Sequence, residues 1–150
     1  MNDTPETKQA LLLRAQYVKD LSFENPRAPE SLFSLREAPA MDVSVNLAAQ
    51  RLDAKVFELT IQIAVRAQAD KVTIFLSDLS YGGVLELQNI PEEHVEAAIF
   101  VQGAQLIYPF ARRVIADVTR DGGFPPLQLE PIDFVAMYRD QKNRAAPTQA

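Results

Sequence analysis

Between Val56 and Gln68 the chain alternates more regularly than anywhere else, and this alternation commits it to a β-sheet. Phe57, Leu59, Ile61, Ile63 and Val65 fall on one face, with Glu58, Thr60, Gln62 and Arg66 on the other. Asp70-Lys71 reads as a turn, so Val72–Tyr81 should return beside this strand as a hairpin. That second strand is apolar on both faces, with Phe75, Leu79 and Tyr81 opposite Ile74 and Leu76. Gly82-Gly83 is expected to break or bulge it before Val84–Leu87 continues. Shorter alternations at Tyr17–Glu24 and Met41–Leu47 predict two more strands. The connection Asn25–Pro39 holds three prolines, which leaves room for a short helical turn near Ser31–Leu35. The two-faced strand could be covered on both sides within one chain. Alternatively, one face meets helices and the other is an open interaction patch. The chain has few helices, which favours the open face and suits a subunit that buries surface by oligomerising.

The helical part follows the strands. Asn89 is a candidate cap for a helix whose first turn holds Pro91, Glu92 and Glu93. Val95, Ile99 and Val101 carry it to an expected interruption near Gly103. Beyond it, Leu106, Phe110, Val114 and Val118, with Ile107, Ala111 and Ile115 beside them, make one wide apolar stripe. Pro109 should kink this helix, and Asp121-Gly122-Gly123 should end it. The next stretch, FPPLQLEP, is apolar but proline-broken, neither helix nor central strand. Phe124, Leu127, Leu129 and Phe134 there can act as a lid on the core, as anchors of a groove, or as both. Asp133 is a good N-cap for a last short helix reaching about Gln141, with Ile132 and Met137 at the staple positions. The fold class is α+β: a four-stranded antiparallel sheet with one long, kinked or interrupted helix and a short C-terminal helix on one face. The expected organisation is a flexible segment 1–13, a single domain 14–141 and a flexible tail 142–150.

Composition removes several function classes. Fifteen basic against twenty acidic residues give a net charge of −5, and the basic residues do not cluster. Nucleic-acid binding, which depends on neutralising phosphates, is therefore not expected, and a basic partner suits the chain better. Without cysteine it has no thiolate chemistry or disulfides. No apolar run approaches the roughly 18 residues of a membrane span, and MNDTPETKQ lacks the order of a secretion signal, so the cytoplasm is expected. The only histidine, His94, sits among Glu92, Glu93 and Glu96 and reads as a solvated helix residue. Ser77 and Ser80 lack a nucleophile elbow, and Gly82-Gly83 lacks the spacing and lysine of a phosphate loop. Asp117 and Asp121 read as surface carboxylates, and Tyr108, Arg112 and Arg113 as structural partners. No catalytic residue, metal ligand or cofactor site is expected, and the chain does not read as an enzyme. The features that stand out concern binding: the strip Asp20, Ser22 and Glu24, which Leu76 and Asp78 could join, and the Phe124–Phe134 run.

Three motifs occur in an order that resembles the SecB family of protein-export chaperones: YVKDLSFE at Tyr17–Glu24, SDLSYGG at Ser77–Gly83, and IYPFARRVIADVTRDGGFPPLQLEPIDF ending at Phe134. The likeness covers roughly Tyr17–Tyr138. It implies a dimer of dimers, with the long helices sandwiched at the centre and the sheets outside. It further implies capture of unfolded precursor proteins in apolar grooves and delivery to SecA, without nucleotide, metal or direct membrane insertion. Matched residue by residue, the family's SecA-facing surface falls on Asp20, Glu24, Leu76 and Asp78. Its groove and subunit-packing positions fall on Phe75, Ser77, Leu79 and Tyr81, and its helix-joining loop on Gly122–Ile132. Arg36-Glu37 stands where members often carry a tryptophan, and Lys142 and Arg144 replace acids in the tail. A SecB-like chaperone of a toxin–antitoxin pair would share the fold. A small-molecule-binding α+β domain with a cavity under the Phe124–Phe134 loop is the alternative from another class.

Overall fold

A computed structural model describes residues 8–34 and 37–145. Leu35, Arg36, Met1–Thr7 and Ala146–Ala150 lie outside the described residues, and with them parts of the expected flexible ends and of the tryptophan position. Four strands, β1 (Ala10–Glu24), β2 (Ala40–Asp53), β3 (Val56–Ala69) and β4 (Val72–Gln88), form one antiparallel sheet in the order β1-β4-β3-β2. Asp70 and Lys71 both take positive φ, 52° and 65°, which gives the β3–β4 hairpin the left-handed two-residue turn that matches strand twist. The connection from β1 carries a short helix, α1 (Ser31–Ser34), to the opposite edge of the sheet. The inner face holds Leu59, Ile61, Ile63, Phe75, Leu79 and Leu85, all fully buried. Burial of each such side chain contributes on the order of 1.5–3 kcal/mol.

A single helical rod covers that face: α2 (Glu92–Ala97), a π-helical segment (Ala98–Gly103) and α3 (Ala104–Asp121) follow without a break, with helical backbone at both junctions. Where an interruption near Gly103 is expected from the sequence, the backbone stays helical and only its winding widens to this π turn. Its cause is visible in the burial. Val95, Ile99, Gly103, Ile107, Ala111, Ile115 and Thr119 are all buried, every fourth residue without exception. In a pure α-helix such a row drifts about 40° per step around the axis, and the wider π turn absorbs part of that drift. Gly103 also brings the rod close to the sheet, since a Cβ there would lie 2.6 Å from Leu85 Cδ1.

The rod ends as the sequence expects. Gly123 has φ +93°, Phe124 N–H donates to the Thr119 carbonyl at 3.1 Å, and Gly123 N–H donates to that of Arg120 at 3.0 Å. This is the Schellman pattern, in which glycine takes the left-handed position. The last helix, α4 (Phe134–Ala145), starts at Asp133, whose Oδ1 accepts from Ala136 N–H at 3.0 Å.

Several local expectations are corrected. Gly82-Gly83 neither breaks nor bulges β4, which pairs in unbroken register with β3 at Thr60 and Leu59. The glycines make room: a Cβ on Gly82 would lie 2.6 Å from the Tyr17 ring, and one on Gly83 would lie 2.9 Å from Ile107. The irregularities fall on β1, between Leu13 and Ala15 and between Val18 and Asp20. They hide its alternation, so β1 starts at Ala10 rather than Tyr17 and includes Ala10–Leu13, placed above in the flexible segment. Leu11 and Leu13 pack against the core. Ile74 is buried at a further irregularity between Thr73 and Phe75, so only Leu76 of the two keeps the outer face. Asn89 caps nothing: it takes φ 58°, and its Nδ2 donates to the Lys8 carbonyl at 3.0 Å. Helix α4 continues past Gln141 to Ala145.

Candidate functional site

The outer sheet face places the four candidate docking residues together. Glu24 pairs with Leu76, Ser22 with Asp78 and Asp20 with Ser80, so each pair points the same way across β1 and β4. Asp20, Glu24 and Asp78 are exposed and Leu76 is half-buried. Glu24, Leu76 and Asp78 line an open concavity of about 450 Å³ with Ser22, Asp42, Ser44 and Arg66. The sequence did not reveal that Asp42 and Arg66 belong here, because strand order, and not spacing along the chain, brings β2 and β3 alongside.

Charge is distributed unevenly on this face. At one end Arg14 pairs with Glu86, its Nε donating at 2.8 Å, and Lys19 Nζ lies 2.7 Å from Glu58 Oε1. Tyr17 lays its ring over Gly82 and donates its hydroxyl to Glu58. The bonds from Lys19 and Tyr17 hold the Glu58 carboxyl below its ordinary range, while burial and the Glu58 contact push the Tyr17 phenol up to about 12. At the other end Asp20, Glu24, Asp42 and Asp78 have no ion-pair partner among the described residues. That end can attract and hold cationic groups.

The residues matched to groove and subunit packing lie elsewhere. Phe75, Ser77, Leu79 and Tyr81 are buried on the inner face beneath the rod. Ser77 donates to the Ser22 carbonyl at 3.2 Å and Tyr81 to Gln16 Oε1 at 3.0 Å, tying β4 to edge strand β1. The Phe124–Phe134 run is packed down. Phe124 sits 4.8 Å from the Phe75 ring and Phe134 5.5 Å from the Tyr108 ring; Leu129 is buried and Leu127 half-buried. Two polar pins hold the loop: Leu127 N–H donates to Thr119 Oγ1 at 2.9 Å, and Tyr108 donates to the Glu130 carbonyl at 2.6 Å. Phe124, Leu129 and Phe134 fill the space beneath the loop.

Uncovered apolar side chains occur at both edges of the sheet. Val18 and Leu21 of β1 are exposed, as are Leu106 (43%) and Phe110 (38%) of α3. On the other edge strand, Met41 and Val43 of β2 are exposed; among the helices, Leu32 and Phe33 (78%) of α1 and Val135 of α4 are exposed as well. The sequence reading placed Leu106 and Phe110 in the helix stripe and Met41 and Val43 on a strand's apolar face. What it missed is that the cover supplied within the chain stops short of all four.

His94 is exposed, 3.6 Å from Glu93. Among the described residues no group of three or more His, Asp or Glu side chains is placed to hold a metal ion, and no helix is long and apolar enough to cross a membrane.

A family model described as preprotein translocase subunit SecB matches residues 4–145. The protein-export protein SecB of Parvibaculum lavamentivorans is 45% identical over 140 residues, covering 93% of this chain and 83% of that one. The protein of the same name from Maricaulis maris is 44% identical over 154 residues, covering 97% and 90%. Among solved structures, a SecB-like chaperone of Mycobacterium tuberculosis, in complex with an antitoxin peptide, superposes with a TM-score of 0.66 at 20% identity, covering 81% of this chain and 90% of that one. This last likeness concerns the fold.

Proposed function

The chain belongs to the SecB family, and from that membership we propose that it binds unfolded precursor proteins, keeps them competent for export and passes them to SecA. The observation that supports this best is the division of its surfaces. One sheet face offers unpaired carboxylates around a half-buried leucine, while apolar side chains stand uncovered along both sheet edges. Unfolded chains expose apolar groups in no fixed order, so a receptor for them needs broad apolar walls, and contact spread over several subunits adds affinity by multivalency.

Each tract takes a role in this reading. Val18, Leu21, Leu106 and Phe110 lie in the subunit contacts of a homotetramer, a dimer of dimers with the α3 helices inside. Tyr81, Ser77, Phe75 and Leu79 act by holding β1 and the rod in place for that packing. Met41, Val43, Phe33 and Val135 receive the guest, and the pinned loop with Phe124, Leu127, Leu129 and Phe134 is one wall of the groove. Asp20, Glu24, Leu76 and Asp78 meet a basic segment of SecA, a contact that weakens with salt. The single domain spans 14–141 together with the strand start Ala10–Leu13 and the end of α4 to Ala145. The protein works in the cytoplasm, without a cofactor and without catalysis. The export role is favoured over service to a toxin–antitoxin pair because the relatives at 44–45% identity are named for protein export. A ligand cavity beneath the loop is disfavoured because side chains occupy that space.

The test combines light scattering, a refolding assay and SecA binding. The protein should scatter near four times 16.7 kDa and slow the refolding of a precursor at stoichiometric amounts. Asp20→Ala with Glu24→Ala should weaken SecA binding and spare capture. A monomer that ignores denatured precursors, or an intact tetramer in which the double substitution abolishes both activities, would refute the reading.

A further inference from the structure

We propose that Arg66 sets the specificity of the acidic sheet face, admitting a partner whose cations are spaced apart and disfavouring a continuously polybasic chain. The inference rests on the reading of this face as the SecA contact. Register pairing lays out one row across all four strands: Glu24 on β1, Leu76 on β4, Arg66 on β3 and Asp42 on β2. The neighbouring row is Ser22, Asp78, Ala64 and Ser44, whose short side chains leave the concavity open. The docking face therefore extends beyond β1 and β4 to the far edge strand. Arg66 is the cation within it, exposed, and among the described residues it forms no ion pair, even with Asp42 directly opposite.

Glu24 and Asp42 stand three strand spacings apart, about 14 Å at roughly 4.8 Å per step. An extended segment covers that span in about four to five residues. It can place one cation at Glu24 and Asp78, an apolar side chain on Leu76 and a second cation at Asp42. A third cation between them would meet Arg66. Like-charge repulsion in this position lets the face discriminate by rejecting a pattern as well as by attracting one.

The experiment compares wild type with Arg66→Ala and Arg66→Glu, each titrated at low ionic strength with purified SecA and with an oligolysine peptide. Circular dichroism and light scattering check that the outward-facing substitutions leave fold and assembly unchanged. Arg66→Ala should tighten oligolysine binding about threefold, the size usual for one exposed charge pair, and SecA binding less, so that the preference for SecA falls. Arg66→Glu should enlarge that shift. Unchanged oligolysine affinity overturns the proposal, and so does weaker SecA binding by Arg66→Ala, which would mean that Arg66 holds a carboxylate of SecA. Asp20→Ala with Glu24→Ala is run in parallel. If it leaves SecA binding untouched, the docking reading fails, and the oligolysine titration alone decides the role of Arg66.

Discussion

Replacing Thr119 by valine isolates the pin that holds the loop between α3 and α4. Thr119 is fully buried (0%), and its hydroxyl donates to the Ile115 and Ala116 carbonyls at 2.9 and 3.0 Å while accepting from Leu127 N–H at 2.9 Å. Valine has nearly the same shape, so no cavity opens, and the helix propensities of the two residues are close. Those two carbonyls lie within the helix, so losing the bonds to them should matter little. The loss that counts falls on Leu127, whose N–H is left without its partner in a half-buried place. Such a group costs on the order of 1–3 kcal/mol. Borne by the loop alone, that raises its opening about 5- to 150-fold, at 1.4 kcal/mol per factor of ten. Hydrogen exchange should show the Leu127 amide losing protection by that factor, and urea unfolding should show a midpoint lowered correspondingly. Binding of an apolar dye should rise as Phe124 and Leu129 become accessible. A stability change below about 0.5 kcal/mol with Leu127 still protected would mean that packing alone holds the loop, and the argument from the hydrogen bond would fail.

Three other outcomes follow from the same contacts. Gly83→Ala should destabilise by about 1–3 kcal/mol in urea unfolding, because its Cβ would lie 2.9 Å from Ile107 and 3.3 Å from Leu13; a neutral change would show that the rod can lift off the sheet freely. Leu106→Glu with Phe110→Glu should reduce the particle mass measured by light scattering with little change in circular dichroism, since both side chains are exposed in the single chain; an unchanged mass would refute the proposed place of α3 in subunit packing. The Tyr17 phenol, raised to about 12 from 10.0 by burial and by Glu58, is neutral in the folded chain when the unfolded chain has already lost its proton. Stability from this group is therefore complete below about pH 10 and is lost as pH rises through about 12. Tyr17→Phe should flatten that part of the alkaline decline in the urea midpoint, and an identical decline in both proteins would contradict it.

The strands and helices were legible where one element answers to one periodicity. Val56–Gln68 became β3 because its alternation matches a sheet with one covered face, and Asp121-Gly122-Gly123 ended α3 because only its second glycine needs positive φ. The reading failed where a residue's reason lies on another element. Gly82 is small for the Tyr17 ring and Gly83 for Ile107, both distant in sequence, so the pair was mistaken for a break. The irregularities of β1 likewise concealed its first residues. The family motifs named Asp20, Glu24, Leu76 and Asp78, but Asp42 and Arg66 joined them only through the order β1-β4-β3-β2.

By itself, then, the sequence determined the elements, the inward faces of β2 and β3, the end of the rod and the family, because these follow from local backbone preference, side-chain period and ordered motifs. Only the tertiary structure decided which apolar residues stay uncovered and which carboxylates stay unpaired. Both are differences between what a side chain offers and what its neighbours across the sheet supply, and those neighbours are set by strand order and not by distance along the chain.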